Sequence, residues 1–378
     1  MRYLLIDDMA HHGWKSILEM AVIKESNCLD VAVNYEEAVE KIKSVWDIIF
    51  LDMRFSESDF SVDNFNNYSG FRLLKEIRKN FDSINFCTPI ILITASNKIW
   101  NIDAFQENGI DGFYIKEHPD YRFDKQTSRN NLENLQNVFK TLIIKGQNKR
   151  EVWTLCNSII QKVHASSYFK TQEKTYVNIK NRIIDKIKLG YYQLFQNQTI
   201  LEKDILLSYN ESLSFIIFWS ILEEISKGFT KISETWDSKF ERNSNWKFKN
   251  GDYFILFENN EIRINYGKND NGDYIKKSFV FSVESSEYKK YSKSSIINLS
   301  DQIYSLLSAY SKNNDEFRQI SNQFKALNRY RNETDFIHGS VINILTKDLL
   351  SHHAVKLAFL KNIELLKFLD TILNFNTK

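Results

Sequence analysis

Short apolar runs that stop at polar residues set the rhythm of the first third of the chain. Tyr3-Leu4-Leu5-Ile6 is apolar throughout and stops at Asp7-Asp8, a pattern that predicts a buried strand with carboxylates at its C-terminal end. Val31-Ala32-Val33 is a second such run, and Asp47 to Leu51 is a third that ends in Asp52. Pro89 to Ile93 leads into the hydroxyls of Thr94 and Ser96, and Gly112 to Ile115 leads into Lys116. Between these runs the apolar residues take helical spacing: Trp14, Ile17, Leu18, Ala21 and Val22, then Glu36 to Val45, then Gly70 to Arg78, with a further helix around 98–108. Strands alternating with helices predict an α/β doubly wound, five-stranded parallel sheet. In such sheets the functional site lies at the carboxyl ends of the strands, where this chain carries Asp7, Asp8, Asp52, Thr94 and Lys116.

The period changes further on. Residues 118–131 are polar and read as a loop, after which Leu132, Leu135, Val138, Phe139, Leu142 and Ile143 share a helical face. That face predicts a connector helix over 126–150, between a first domain at 1–125 and a second at 151–378. The second domain is expected to be a mainly α-helical bundle. Its most apolar stretch, Phe215 to Ile225, predicts a central helix, with Glu223 and Glu224 as caps or surface charges, or as groups that orient a catalytic residue across the helix pair. Alternating strand and turn signals over about 246–283 predict a small antiparallel β insertion. Helices resume near 297, and a last one over about 353–373 is expected to turn Leu357, Leu360, Ile363, Leu366, Leu369 and Leu373 inward.

Composition narrows the class. With 43% hydrophobic and 14% aromatic residues among 378, the chain can bury a globular core, and only 2 prolines and 11 glycines leave room for long helices. The net charge of +2 does not announce a nucleic-acid binder. Cys28, Cys87 and Cys156 are too far apart for a metal knuckle and are expected to be buried thiols. No apolar run is long enough to span a membrane and no leader pattern opens the chain, so a cytoplasmic location is expected. No helix-turn-helix pattern is present, so sequence-specific DNA binding is not expected.

Leu5-Ile6-Asp7-Asp8, Ile49-Phe50-Leu51-Asp52, Ser69-Gly70-Phe71, Thr94-Ala95 and Phe113-Tyr114-Ile115-Lys116 resemble the motifs of two-component response-regulator receiver domains. The resemblance covers residues 1 to about 120. It implies a flavodoxin-like fold and a phosphoacceptor at Asp52. Mg²⁺ would be held by Asp7, Asp8, Asp52 and the backbone carbonyl of Arg54. Thr94 and Lys116 would contact the phosphoryl oxygens, and Phe113 would stand at the switch-aromatic position. It also implies a sensor histidine kinase or another phosphodonor as partner. Three carboxylates near one point repel one another, which a hard divalent cation relieves. A polar segment, Ser56 to Tyr68, separates Asp52 from the Gly70 helix and reads as a surface loop beside the site, or as a lid or partner contact there.

Near the C-terminal end, Arg331-Asn332 is followed by His338-Gly339. This spacing in a helical domain resembles the HEPN superfamily, many of whose members are metal-independent, dimeric endoribonucleases that serve in stress or phage defence. The resemblance implies catalytic roles for Arg331, Asn332 and His338, an RNA substrate and a homodimer. An arginine can hold phosphate oxygens and a histidine can move a proton near neutral pH. Two other readings stand beside it: an Arg331–Asp335 ion pair, and His338-Gly339 as a helix cap. The chain as a whole then reads as a phosphorylation-controlled regulator with a ribonuclease output, or as a non-catalytic signalling and dimerisation module that binds protein or RNA.

Overall fold

A computed structural model describes residues 1–24, 28–56, 59, 64–94, 105–116, 125–166, 174–195, 203–229, 247–250, 253–258, 261–268, 274–278, 299, 303, 307, 314–333 and 352–374. The chain divides into two units, Met1–Thr154 and Leu155–Lys378.

In the first unit, β1 (Tyr3–Ile6), β2 (Leu29–Ala32), β3 (Ile48–Asp52), β4 (Ile90–Thr94) and β5 (Gly112–Ile115) form one sheet. The order is β2-β1-β3-β4-β5, and every pairing is parallel. This is the flavodoxin-like doubly wound order, which places its switch point between β1 and β3. The strand runs read from the apolar pattern are the strands observed, with ends moved by one or two residues. All four residues of β1 and all five of both β3 and β4 are buried, as both faces of a parallel sheet require.

Helices cover the two faces. On one, Leu4, Ile49, Leu51, Ile90 and Leu92 pack with Phe71, Leu73, Leu74 and Ile77 of α3 (Ser69–Lys79). α2 (Tyr35–Lys41) starts at Asn34, whose side chain accepts from the Glu37 amide at 2.9 Å, while Glu37 reaches back to the Val33 amide at 3.2 Å. These bonds satisfy donors that the first turn would otherwise leave open. On the other face, α1 (Trp14–Ile17) runs on into a π-helical turn, Leu18–Ile23. There Tyr3, Leu5, Phe50 and Ile91 pack with Leu18, Val22, Leu135, Phe139 and Leu142. The Phe139 ring lies 5.4 Å from Tyr3 and 6.0 Å from Phe50, contacts that add about 0.5–1.5 kcal/mol each to simple burial.

Phe139 belongs to α4, one helix from Lys125 to Ala165. It starts inside the stretch read as a loop and runs past the predicted connector. Its N-terminal half is a covering helix of the sheet, because its apolar face is buried there. Asn131 donates to the Ile115 carbonyl at 3.0 Å and Gln136 to the Ala21 carbonyl at 2.7 Å. At the opposite edge of the sheet, buried Asp111 accepts from Lys149 at 2.6 Å and from Arg78 at 3.3 Å. Arg150 donates to the Trp46 carbonyl at 2.7 Å, and Trp153 to the Phe81 carbonyl at 2.7 Å. Burial opposes the ionised Asp111 carboxyl, but Lys149, Arg78 and Lys145 outweigh it and hold its pKa below the usual range.

In the second unit, α5 (Lys174–Phe195) presents Ile179, Ile183, Ile187 and Tyr191 to α6 (Lys203–Phe229). Gly190 permits the close approach: a Cβ there would stand 2.4 Å from the Phe218 ring. Phe215, Phe218, Trp219, Ile221, Leu222 and Ile225 are all buried, so the expected central helix is α6. Glu224 is neither a cap nor a surface charge. It is buried, and it accepts from Arg182 at 3.0 Å and Lys186 at 2.9 Å. α7 (Asn314–Glu333) and α8 (His352–Asn374) follow in the same unit. Ile363, Leu366, Leu369 and Leu373 of α8 are buried, but Leu357 and Leu360 are 41% and 44% exposed. The buried stripe starts instead at Ala358 and Asn362, and a helix rotates by about 100° per residue, so a shift of one position moves a side chain off the packed face. Four strands, β6 (Lys247–Asn250), β7 (Tyr253–Glu258), β8 (Glu261–Lys268) and β9 (Tyr274–Ser278), pair antiparallel in chain order. Among the described residues no helix is long and apolar enough to cross a membrane.

Candidate functional site

The carboxyl edge of the parallel sheet collects the acids. Parallel strands with their starts in register bring their C-terminal ends to one edge, and Asp7 and Asp8 follow β1 directly while Asp52 is the last residue of β3. One carboxylate oxygen from each of Asp7, Asp8 and Asp52 lies within 4.8 Å of the others. Asp7 is fully buried, Asp52 is 7% exposed and Asp8 is half-buried.

Lys116 stands among them. It is 6% exposed, and its Nζ donates to Asp7 Oδ2 at 2.7 Å and to Asp52 Oδ2. Burial alone would pull the Lys116 ammonium down, but Asp52 and Asp7 outweigh it and its pKa rises. Burial pushes the Asp52 carboxyl up to about 6, against the pull of Lys116 and with help from Asp7. Burial and Asp7 also raise Asp8. Among the described residues, three carboxyl groups therefore cluster around one ammonium, which bonds to two of them. An all-oxygen donor set of this kind, short of positive charge, suits a hard divalent cation such as Mg²⁺.

The other residues of the set take these positions. Thr94 ends β4, is buried, and its carbonyl accepts from the Lys116 amide at 2.7 Å. Arg54 donates its backbone N–H to Asp52 Oδ1 at 3.2 Å, while its guanidinium lies over the Tyr68 ring, 4.1 Å from the centroid. Phe113 is on the edge strand β5 and is 43% exposed. The segment after Asp52 is tied down at its described residues. Asp59, 2% exposed, accepts from the Ser69 amide at 2.9 Å, the Ser69 hydroxyl at 2.5 Å and the Ser56 amide at 3.2 Å. It thereby joins the start of this segment to the first turn of α3, a role that a loop reading of Ser56 to Tyr68 does not contain. Gly70 follows, and it touches the loop after β3 directly: a Cβ there would lie 2.2 Å from the Asp52 carbonyl oxygen.

The C-terminal motif is only partly described. Arg331 and Asn332 are in the last turn of α7. Asp335, His338 and Gly339 lie outside the described residues. The Arg331 guanidinium stands over the Trp219 ring, 5.2 Å from its centroid. Trp219 also stacks on Phe324 at 5.7 Å, and Phe215 meets Tyr330 edge-on at 5.0 Å.

On the same helix, α6, sequence reasoning passes over Glu211. Its carboxyl has a buried Oε2 with no hydrogen-bond partner, and burial raises its pKa to about 7. Glu211 also helps to hold the Tyr330 phenol up at about 12, after burial. No spacing marks it, because its neighbours on α7 and α8 are distant in sequence. The folded-state value of about 7 is above the ordinary 4.5, so protonated Glu211 favours the fold at low pH, and this contribution is lost as pH rises through about 7. Glu211→Gln is therefore expected to be more stable than the parent chain at about pH 8, on the order of 2 kcal/mol after discounting for relaxation around a buried carboxyl. The gap should close toward about pH 5, which urea unfolding at the two pH values measures.

No family model matches the chain, and no curated protein does either. Among solved structures it is similar to a CheY-like response regulator receiver domain protein from Methanospirillum hungatei JF-1, with 18% identity and a TM-score of 0.26, covering 37% of this chain and 97% of that chain. It is similar to a response regulator receiver domain from Francisella, with 20% identity and a TM-score of 0.26, over 37% of this chain and 97% of that chain. A response regulator protein from Burkholderia pseudomallei, described with a phosphorylated aspartic acid, a calcium ion and citrate, is 17% identical with a TM-score of 0.24, over 36% of this chain and 69% of that chain.

Proposed function

We propose that the N-terminal unit is a response-regulator receiver that accepts a phosphoryl group on Asp52, and that it controls the helical unit, a HEPN-like metal-independent endoribonuclease acting in stress or phage defence. The observation that carries the receiver reading is Lys116 Nζ, shared between Asp7 and Asp52 at the carboxyl edge of a flavodoxin-like sheet. In this reading residues 1–125 are the receiver, 126–150 the connector, and 151–378 the output, with the antiparallel strands as an insertion over about 246–283.

Asp7, Asp8, Asp52 and the Arg54 carbonyl would hold Mg²⁺. When bound, the ion supplies positive charge that relieves the clustered carboxylates and neutralises phosphoryl oxygens. The chain's own groups do the rest. An Asp52 carboxylate oxygen attacks phosphorus, an O–P bond forms, and the donor's bond to phosphorus breaks with its electron pair leaving on the donor. Lys116 and the Thr94 hydroxyl hold the transferred oxygens, and Phe113 on the edge strand reports the change to a partner surface. The phosphodonor is a sensor histidine kinase or a small acyl phosphate.

In the helical unit, Arg331 would hold a phosphodiester, Asn332 would orient it, and His338 would exchange the proton of the attacking 2′-OH. Paired motifs in a homodimer suit this chemistry. A non-catalytic signalling module is favoured instead by one contact: Arg331 packs its guanidinium on Trp219, as a structural arginine does.

Acetyl phosphate with Mg²⁺ is expected to label the 378-residue chain stoichiometrically and to leave Asp52→Asn unlabelled. An unlabelled parent chain, or equal labelling of both, overturns the receiver reading. RNA cleavage in the presence of a chelator, lost in both Arg331→Ala and His338→Ala, is expected of the output. Cleavage that survives either substitution removes that residue, and its complete absence in phosphorylated and unphosphorylated protein favours the signalling module.

A further inference from the structure

We infer that Trp14 is a positioning residue for phosphoryl transfer at Asp52, its indole face holding the Lys116 ammonium when that ammonium leaves the nucleophile. The inference rests on the receiver reading of the site.

The starting geometry creates the need. Lys116 Nζ donates to Asp52 Oδ2, which is one of the two oxygens able to attack, and to Asp7 Oδ2 at 2.7 Å. An Oδ2 that gives one of its two lone pairs to phosphorus becomes a weaker acceptor for Lys116, and the arriving phosphoryl group needs the space beside it. The ammonium therefore has to move by about one hydrogen-bond length, ~3 Å. Lys116 is only 6% exposed, so little solvent reaches it where it stands.

Trp14 supplies an alternative. Lys116 Nζ is 5.5 Å from the centroid of its ring, inside the range at which an aromatic face attracts a cation. The ring is braced: it meets Tyr114 edge-on at 5.9 Å and packs against the apolar layer that contains Leu18, Leu135 and Phe139. Trp14 opens α1, after the left-handed Gly13 with φ of 113° that turns the chain into this helix. The ammonium keeps all its protons throughout. It gives up one acceptor on Asp52, is held by Asp7 and the indole face meanwhile, and then donates to a phosphoryl oxygen of the new Asp52 acyl phosphate. With acetyl phosphate as donor, acetate leaves with the electron pair of the broken P–O bond, and no proton transfer by Lys116 is involved.

The test uses the 378-residue chain, acetyl phosphate and Mg²⁺, and reads the rate at which Asp52 is labelled. Trp14→Leu keeps bulk and loses the aromatic face; Trp14→Phe keeps a face. The leucine variant is expected to be slower by about tenfold and the phenylalanine variant to stay within about threefold of the parent. Mg²⁺ affinity by calorimetry and the unfolding midpoint should be unchanged in both. Beryllofluoride with Mg²⁺ should shift the tryptophan emission of the parent chain, and the Trp14→Phe variant should lose that shift. Labelling of Trp14→Leu at the parent rate overturns the inference, as does an equal fall in both variants accompanied by weaker Mg²⁺ binding or a lower midpoint, which is the mark of a packing role. If the parent chain itself takes no label, the receiver reading fails and the inference goes with it, whatever the Trp14 variants do.

Discussion

Lys116→Ala is expected to lose ~3–5 kcal/mol of folding stability when divalent cations are chelated, and to recover a large part of it in millimolar Mg²⁺. The loss comes from what remains behind. Asp7 is fully buried and Asp52 is 7% exposed, and both are bonded to the same ammonium. Removing one partner of a buried ion pair strands the other, which costs far more than the intact pair contributes. Here one deletion strands two carboxylates, with Asp8 a third acid near them. Mg²⁺ should substitute, because oxygens this close together can share one ion. Lys116→Met, which keeps most of the aliphatic stem, separates charge from packing and should behave like the alanine variant if charge dominates. Urea unfolding of the parent and both variants, in chelator and in Mg²⁺, reads the effect. An equal deficit in both conditions would show that these acids do not gather a cation.

The second large effect is expected at Gly70. In Gly70→Ala the added Cβ meets the Asp52 carbonyl oxygen at 2.2 Å and the Met53 carbonyl oxygen at 2.8 Å. Both are backbone atoms at the end of β3, beside the clustered acids, so no rotamer change relieves the clash. The first turn of α3 has to retreat, which breaks the bond from the Gly70 amide to the Met53 carbonyl at 3.2 Å and disturbs the Ser69–Asp59 contacts. The expected cost is at least ~3 kcal/mol, together with a fall in Asp52 labelling that Mg²⁺ does not restore. Gly13→Ala is the control. Gly13 has φ of 113°, but a methyl group added there would meet nothing within 4 Å, so the backbone penalty alone, about 1 kcal/mol, should appear. Similar losses at both positions would mean that the close approach at Gly70 is not what matters.

The two units differ in how far the sequence reaches. In the first, a buried parallel strand has to be apolar on both faces, so its run ends abruptly at the sheet edge and the residues that follow stand out. Asp7, Asp52, Thr94 and Lys116 are legible for that reason, as are the five strands in their order of appearance. In the second, helical period shows which residues are apolar together but not the exact phase of the packed face. Phe215 to Ile225 is legible because it is apolar on nearly every side. Leu357 and Leu360 mislead because they flank the stripe that Ala358 and Asn362 begin.

By itself, then, the sequence determined the strand–helix alternation, the parallel sheet and the residue types at its carboxyl edge, because those follow from local periodicity and from where apolar runs stop. Only the tertiary structure decided which groups meet across the chain. It put Trp14 beside Lys116, gave Asp59 to the Ser69 turn, pressed Gly70 against the Asp52 carbonyl, and buried Glu211 near Tyr330. Each of these depends on the distance between residues well separated in sequence, and such a distance is set by the packing of whole helices on a sheet or on one another, which no local pattern records.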